Sequence, residues 1–177
     1  MVKGESKMSK NILLAPILKW VGGKRQLLND ILPLVQGKGT YIEPFLGGGA
    51  VLFSYQPKVA IVNDYNHELM NVYQVVKKYP EQLIQLLQIH HANNSEEYYY
   101  NIRELDRADE YKKMSIIEKA SRIIYLNKTC YNGLYRVNSS GYFNSPYGKY
   151  KNPNIVNEVV IRAMSKYLNE NKITLLQ

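Results

Sequence analysis

The chain has 177 residues, 45% hydrophobic and 21% charged, which gives room for one domain with a good core and excludes disorder as the default. Its net charge of +8 favours a polyanionic partner, through phosphate neutralisation and counterion release. No apolar run approaches the length of a bilayer span, and a single cysteine, Cys130, excludes an internal disulfide and fits a reducing compartment.

Residues 1–10 are polar and basic. The apolar run Ile12 to Leu18 contains Pro16 and has no small-residue cleavage pattern, so no signal peptide is expected and the location is read as cytoplasmic. Gly22-Gly23 then breaks an extended opening, and Leu27, Leu28, Ile31 and Leu32 recur at helical spacing. Lys19, Trp20 and Lys24 bracket the break. A flat indole and cations around a turn with free N–H groups suit the carboxylate and adenine ends of a small zwitterionic cofactor; the alternative is a core Trp20 with solvated lysines.

Residues 41–53 organise the chain. Tyr41-Ile42 reads as the end of a buried strand, Glu43-Pro44-Phe45 stops it, and Gly47-Gly48-Gly49 leads into the helix-compatible stretch Ala50 to Phe53. Glycines let a backbone approach a bound nucleotide closely and supply positive φ in tight turns. The next strand, Val59 to Val62, ends in Asn63-Asp64, where a carboxylate can hold the two hydroxyls of a ribose. Together these predict a pocket for an adenosine-containing cofactor. The dinucleotide pattern G-x-G-x-x-G is not met, because Leu52 stands at its third glycine, and this counts against a nicotinamide-dependent dehydrogenase. A glycine turn that merely joins strand to helix is the bland alternative.

Residues 66–79 predict a helix with Leu69, Val72, Tyr73 and Val76 on one face and Asn66 as N-cap. Pro80 opens another helix, to about His90. The stretch Ser95 to Asp106 is polar and tyrosine-rich, and Ser115-x-x-Glu118 is a capping box opening a helix to about Asn127. Residues 70–151 are read as a mostly helical subdomain inserted between strands; residues 1–69 and 152–177 form the sheet-bearing part. His67, His90 and His91 have no metal-ligand spacing, so no metal is expected.

From Lys119 to Asn157 there is no Asp or Glu. Lys119, Arg122, Lys128, Arg136, Lys149 and Lys151 interleave with Tyr125, Tyr131, Tyr135, Tyr142, Phe143, Tyr147 and Tyr150. Cations neutralise phosphates, and rings stack on bases or wedge between them. Within this stretch Val137 to Asn144, including Asn138, predicts a β-hairpin whose loop could enter a groove. The alternative is an amphipathic helix followed by a structural hairpin. A helix over about Ile155 to Asn169 and a third core strand over Lys172 to Gln177 complete the chain.

Five motifs occur in order: Lys-Trp-x-Gly-Gly-Lys (19–24), Glu-Pro-Phe-x-Gly-Gly-Gly (43–49), Asn-Asp-x-Asn (63–66), Tyr-Asn-Gly-Leu-Tyr-Arg (131–136) and Phe-Asn-x-Pro-Tyr-Gly-Lys-Tyr (143–150). The chain thereby resembles the Dam-type DNA adenine-N6 methyltransferases, including restriction-system members that modify GATC. The resemblance implies an α/β, Rossmann-like class I methyltransferase sheet, of which only the first strands are present, with an inserted target-recognition subdomain carrying the hairpin. It implies S-adenosyl-L-methionine as cofactor, contacted by Trp20, Lys24, Glu43, Pro44, Phe45, Gly47 and Asp64. It also implies double-stranded DNA as partner, with Tyr131 inserting into the base stack, Asn132 supporting it and Arg136 reading a guanine edge. Pro146 and Tyr150 would contact the remaining bases, and Asn138 and Lys149 complete the DNA-binding set.

The family holds the adenine amine with Asp-Pro-Pro-Tyr, a string that does not occur here. The nearest, Asn144-Ser145-Pro146-Tyr147, lies inside the expected hairpin. No catalytic residue is therefore expected in this chain, which is read as a truncated or split form, its C-terminal half supplied by a second polypeptide in the split case. The alternative is a catalytically inactive DNA- or cofactor-binding module.

Overall fold

The computed structural model describes residues 10–35, 37 and 39–176. The basic residues 1–9, residues 36 and 38, and the last residue of the expected final strand lie outside them. Three parallel strands, β1 (Tyr41–Glu43), β2 (Val59–Val62) and β3 (Lys172–Leu175), pair in the order β1-β2-β3, with Tyr41 opposite Ala60 and Val59 opposite Lys172. Parallel strands need crossovers, and the sequence supplies helices for both. The first is α2 (Ala50–Tyr55), which leaves Gly49 at φ +73° and ends in a left-handed Gln56.

All other long helices lie between β2 and β3. In α3 (His67–Lys78) Asn66 caps the start, accepting the Leu69 N–H at 2.9 Å, and Leu69, Met70, Val72, Tyr73, Val75 and Val76 are buried. Pro80 begins α4 (Pro80–Ala92) at a position where its missing N–H costs nothing. The tyrosine-rich stretch is itself a helix, α5 (Glu96–Glu104), capped by Ser95 and burying Tyr99. A short α6 (Glu110–Lys113) precedes α7 (Ile116–Thr129), where both halves of the Ser115–Glu118 capping box are made. Finally α8 (Glu158–Glu170), capped by Asn157, leads into β3.

The helix expected after Gly22-Gly23 is only a 3-10 turn, Lys24–Leu27, followed by α1 (Leu28–Ile31), and it buries no residue; Leu27 is 53% exposed. Pro33 explains its brevity, because proline lacks the N–H that the next turn would donate. The α/β class holds. A single buried cluster runs from Leu14, Ile17 and Leu18 through β2, α3 and α7 to α8 and Ile173, so strands and helical insertion share one core. Among the described residues no helix is long and apolar enough to cross a membrane.

Candidate functional site

The tip of β1 and the glycine turn form a chain of contacts built largely by backbone. Asp64 accepts the Gly47 N–H on Oδ2 at 2.8 Å and the Asn66 N–H on Oδ1 at 3.0 Å, so one carboxylate fixes both the turn after β1 and the start of α3. Each oxygen keeps a second lone pair for an incoming hydroxyl. The buried Tyr73 hydroxyl donates to the Gly47 carbonyl at 2.9 Å. Gly49 must be glycine: besides its positive φ, a Cβ there would lie 2.4 Å from the Phe53 ring.

Glu43 is 5% exposed. Its Oε2 accepts the Tyr41 hydroxyl at 2.9 Å, and the Lys24 ammonium lies 3.1 Å from Oε1, an ion pair whose geometry leaves that buried oxygen without a hydrogen bond. The same ammonium also donates to the Phe45 carbonyl. Burial, reinforced by Glu43, pushes the Tyr41 hydroxyl pKa well up, so it remains a donor. Pro44 and Phe45 project outward from the strand tip, Phe45 being 74% exposed.

Trp20 lies against the glycine turn: a Cβ at Gly47 would sit 3.4 Å from its ring. Its indole also stacks on Tyr135, with centroids 4.6 Å apart and planes 28° apart. A cleft of about 710 Å³ opens beside it, lined by Lys19, Trp20, Gly48, Ala50, Lys128 and Asn132 among others. That volume is within the range of small-molecule sites. Thus Lys24, Glu43 and Phe45 form one set of contacts and Trp20, Gly47 and Asp64 another, the two following each other along the strand tip and glycine turn, while the cleft wall takes Trp20 from these residues and Asn132 from the expected DNA-binding ones. Lys128, at the cleft wall, has its ammonium pKa lowered by burial and then by Lys19.

The expected DNA-binding residues gather on the segment after α7. Tyr131, 58% exposed, donates its N–H to the Pro146 carbonyl at 2.8 Å, and Cys130 bridges Tyr147 in antiparallel fashion. Asn132 is held at φ 55°. The hairpin forms, but as isolated bridging rather than strands: Val137 pairs with Phe143, and the Asn138 side-chain oxygen accepts the N–H groups of Ser140 (3.1 Å) and Tyr142 (2.9 Å). The turn thus uses the Asn138 oxygen for its own structure. Arg136 is braced across the hairpin, donating from Nε to Asn144 Oδ1 at 2.7 Å and from Nη2 to the Asn144 carbonyl at 3.1 Å. Pro146, Lys149 and Tyr150 are exposed, and Lys149, at φ 54°, lies 3.5 Å from a Glu96 carboxylate oxygen.

Sequence reasoning passed over Asn127. This buried side chain accepts the Lys19 N–H and donates to the Lys19 and Gly133 carbonyls, all within 3.0 Å. Its signal was available: an amide among Ile123, Ile124 and Leu126 on a helix needs partners supplied by other segments.

A model of the D12 class N6 adenine-specific DNA methyltransferases matches residues 20–177. The chain is 50% identical over 171 residues to the type II methyltransferase M1.LlaDCHI of Lactococcus lactis subsp. cremoris, covering 96% of this chain and 60% of that protein. It is 43% identical over 175 residues to the type II methyltransferase M.MjaIII of Methanocaldococcus jannaschii, covering 89% and 60%. With the DNA adenine methylase of Escherichia coli K12 it shares 36% identity over 138 residues, 77% of this chain and 48% of that one. The chain spans about half to three-fifths of the length of these relatives.

Proposed function

The chain belongs to the D12 class N6 adenine-specific DNA methyltransferase family, and we propose that it contributes the S-adenosyl-L-methionine seat and the target-reading surface of an enzyme that methylates N6 of adenine in duplex DNA, at GATC. The residues present fit such a cofactor. Glu43 keeps a buried oxygen without a hydrogen bond, Lys24 brings a cation to the same strand tip, Trp20 offers an indole at the glycine turn, and Asp64 has lone pairs to spare for ribose hydroxyls. When bound, the cofactor supplies a methyl group activated on a sulfonium sulfur. The chain's own residues orient it and carry Tyr131, Asn132 and Arg136 to the base stack, with Asn138, Pro146, Lys149 and Tyr150 around them. Extracting an adenine costs a few kcal/mol, and an inserted Tyr131 ring would offset part of that.

One observation carries this reading: the cofactor segment and the target-reading segment are joined directly, the Trp20 ring on the Tyr135 ring and the Asn127 side chain on backbone groups of Lys19 and Gly133. Asp-Pro-Pro-Tyr does not occur in these 177 residues. We therefore assign the carboxylate that accepts the N6 hydrogens to sequence outside them, in the same or a second polypeptide. The outer edge of β1 supports that assignment, since no strand among the described residues pairs there and Ile42 beside it is exposed. A catalytically inactive binding module is the second reading, favoured by the same missing string.

Calorimetric titration of the folded chain with S-adenosylmethionine, and then with GATC duplex, tests the proposal. Uptake of both is expected, with cofactor uptake weakened in Lys24→Ala and Asp64→Ala. Uptake of neither would refute it. Methyl transfer by these 177 residues alone would overturn the assignment of the acceptor carboxylate elsewhere.

A further inference from the structure

The recognition hairpin has little of its own to hold it in place. Its ladder is a single Val137–Phe143 bridge flanked by the Asn138–Tyr142 and Asn144–Arg136 backbone hydrogen bonds, and of its large apolar side chains only Phe143 is buried, while Val137 and Tyr142 are partly exposed. Such a ribbon does not fix its own angle to the body of the protein.

Two adjacent residues outside the hairpin grip the backbone of one of its residues, Phe143, at both its N–H and its carbonyl. Asp106 Oδ2 accepts the Phe143 N–H at 2.8 Å, and Arg107 Nη2 donates to the Phe143 carbonyl at 3.0 Å. The grip is locked from behind. Arg122, 2% exposed, reaches Asp106 Oδ2 at 2.9 Å and spends its other hydrogen bonds on the Ile102 and Arg103 carbonyls. Arg107 closes on Asp106 Oδ1 at 2.7 Å and on Glu104 at 2.8 Å, and its guanidinium lies 5.4 Å from the Tyr142 ring centroid. A buried arginine satisfied by two carbonyls and a carboxylate is a rigid anchor, since every alternative position would strand its charge.

We infer that Asp106 and Arg107 are positioning residues that set the stance of the recognition hairpin on DNA, and thereby sequence discrimination. The inference rests on the target-reading role proposed above. Phe143 bridges Val137, which stands between Arg136 and Asn138, so the grip acts one residue from each. Bidentate base contacts demand placement that a free ribbon does not provide, whereas phosphate contacts tolerate a shift. Loosening the grip therefore costs discrimination more than affinity.

The test is selection from a random-sequence duplex pool by the full-length protein, followed by titration of the selected duplex and a shuffled control. Arg107→Ala removes one prong and leaves the Asp106–Arg122 pair intact. It is expected to lower the selected-to-shuffled affinity ratio about tenfold, to leave shuffled-duplex binding within about twofold, and to leave S-adenosylmethionine affinity unchanged. Asp106→Ala removes the other prong and should show at least the same loss; as it also strands Arg122, its folding is followed by circular dichroism, and if it does not fold Arg107→Ala decides. Equal loss on both duplexes, or an unchanged ratio in Arg107→Ala, overturns the inference while the target-reading role stands. A wild-type protein that selects no sequence overturns both.

Discussion

Asn127 straps Lys19 to the end of α7, its side-chain oxygen taking the Lys19 N–H at 2.9 Å and its nitrogen giving to the Lys19 carbonyl at 2.9 Å. A third bond to the Gly133 carbonyl, at 3.0 Å, extends the strap to the turn that carries Tyr131 and Asn132. Removing a buried partner from donors and acceptors costs roughly 1 to 3 kcal/mol for each group left unsatisfied. Asn127→Ala should therefore lower the urea midpoint and weaken cofactor and DNA binding together, because Trp20 follows Lys19 directly. Asn127→Asp keeps the acceptor but turns both donor contacts into repulsions, and should do no better. A variant with unchanged stability and unchanged cofactor titration would refute the strap.

Gly49 sits at φ +73° with the Phe53 ring where a side chain would go, whereas Gly39 has open space around it. Gly49→Ala meets both a left-handed backbone, costing about 1 kcal/mol or more, and a clash with a buried aromatic. A loss of roughly 2 to 4 kcal/mol in denaturant unfolding is expected, against about zero for Gly39→Ala. Comparable losses in the two variants would mean that the glycine turn is not the constrained element described.

The parts legible in the sequence were those set by local chemistry. Asn66, Ser115-x-x-Glu118 and Pro80 announce helix starts because caps act within one turn, and each helix begins there. The apolar strands around the glycine turn were equally plain. What escaped depended on distant partners. The stretch that holds α5 reads as polar and tyrosine-rich, yet Tyr99 is buried and its hydroxyl donates to the carbonyl of Ser145, a residue far along the chain, at 2.8 Å. A carboxylate at the end of β2 reads as a ribose partner, whereas the two backbone N–H groups that Asp64 accepts follow from the turn's path and not from its composition. Asp106 and Arg107 look like ordinary surface charges until the hairpin folds back on them.

Arg136 is pre-set by Asn144, and this predicts a graded series. Arg136→Ala should relax preference at one base pair by roughly 1 to 3 kcal/mol while overall binding weakens less. Asn144→Ala leaves the guanidinium in place but frees its torsions, and should lose part of that discrimination, about 0.5 to 1.5 kcal/mol, with little change in stability because the pair is exposed. Competition binding with duplexes altered one pair at a time distinguishes the roles. Equal losses on every duplex would make Arg136 a phosphate contact only.

His90 couples the fold to acid. It is stacked on Tyr125 at 4.9 Å, within 2.8 Å of the Tyr98 hydroxyl and 3.3 Å of Ser121 Oγ, and burial pushes its pKa down to about 4. The unfolded chain therefore takes up this proton near pH 6.5, before the folded one does. Stability is full above about pH 6.5 and falls as pH drops toward 4, by up to roughly 3 kcal/mol from this group. Urea midpoints at pH 7 and pH 5 should differ in wild type, and the difference should shrink in His90→Gln. A difference that persists unchanged would place the acid sensitivity in the carboxylates.

Cys130 ends α7 as a fully buried residue, its thiol 3.6 Å from the Leu134 carbonyl oxygen and its pKa pushed up to about 11 by burial. The thiolate is the reactive form, and at pH 8 an unfolded cysteine is partly ionised whereas this one is almost wholly protonated. Alkylation by iodoacetamide should then be slower in the folded protein than in urea by on the order of a hundredfold or more. Because reaction requires opening of the junction between α7 and the Tyr131 turn, the folded rate should follow local stability and rise in Asn127→Ala. A folded-state rate close to that in urea would mean that the segment joining α7 to the Tyr131 turn is open in solution.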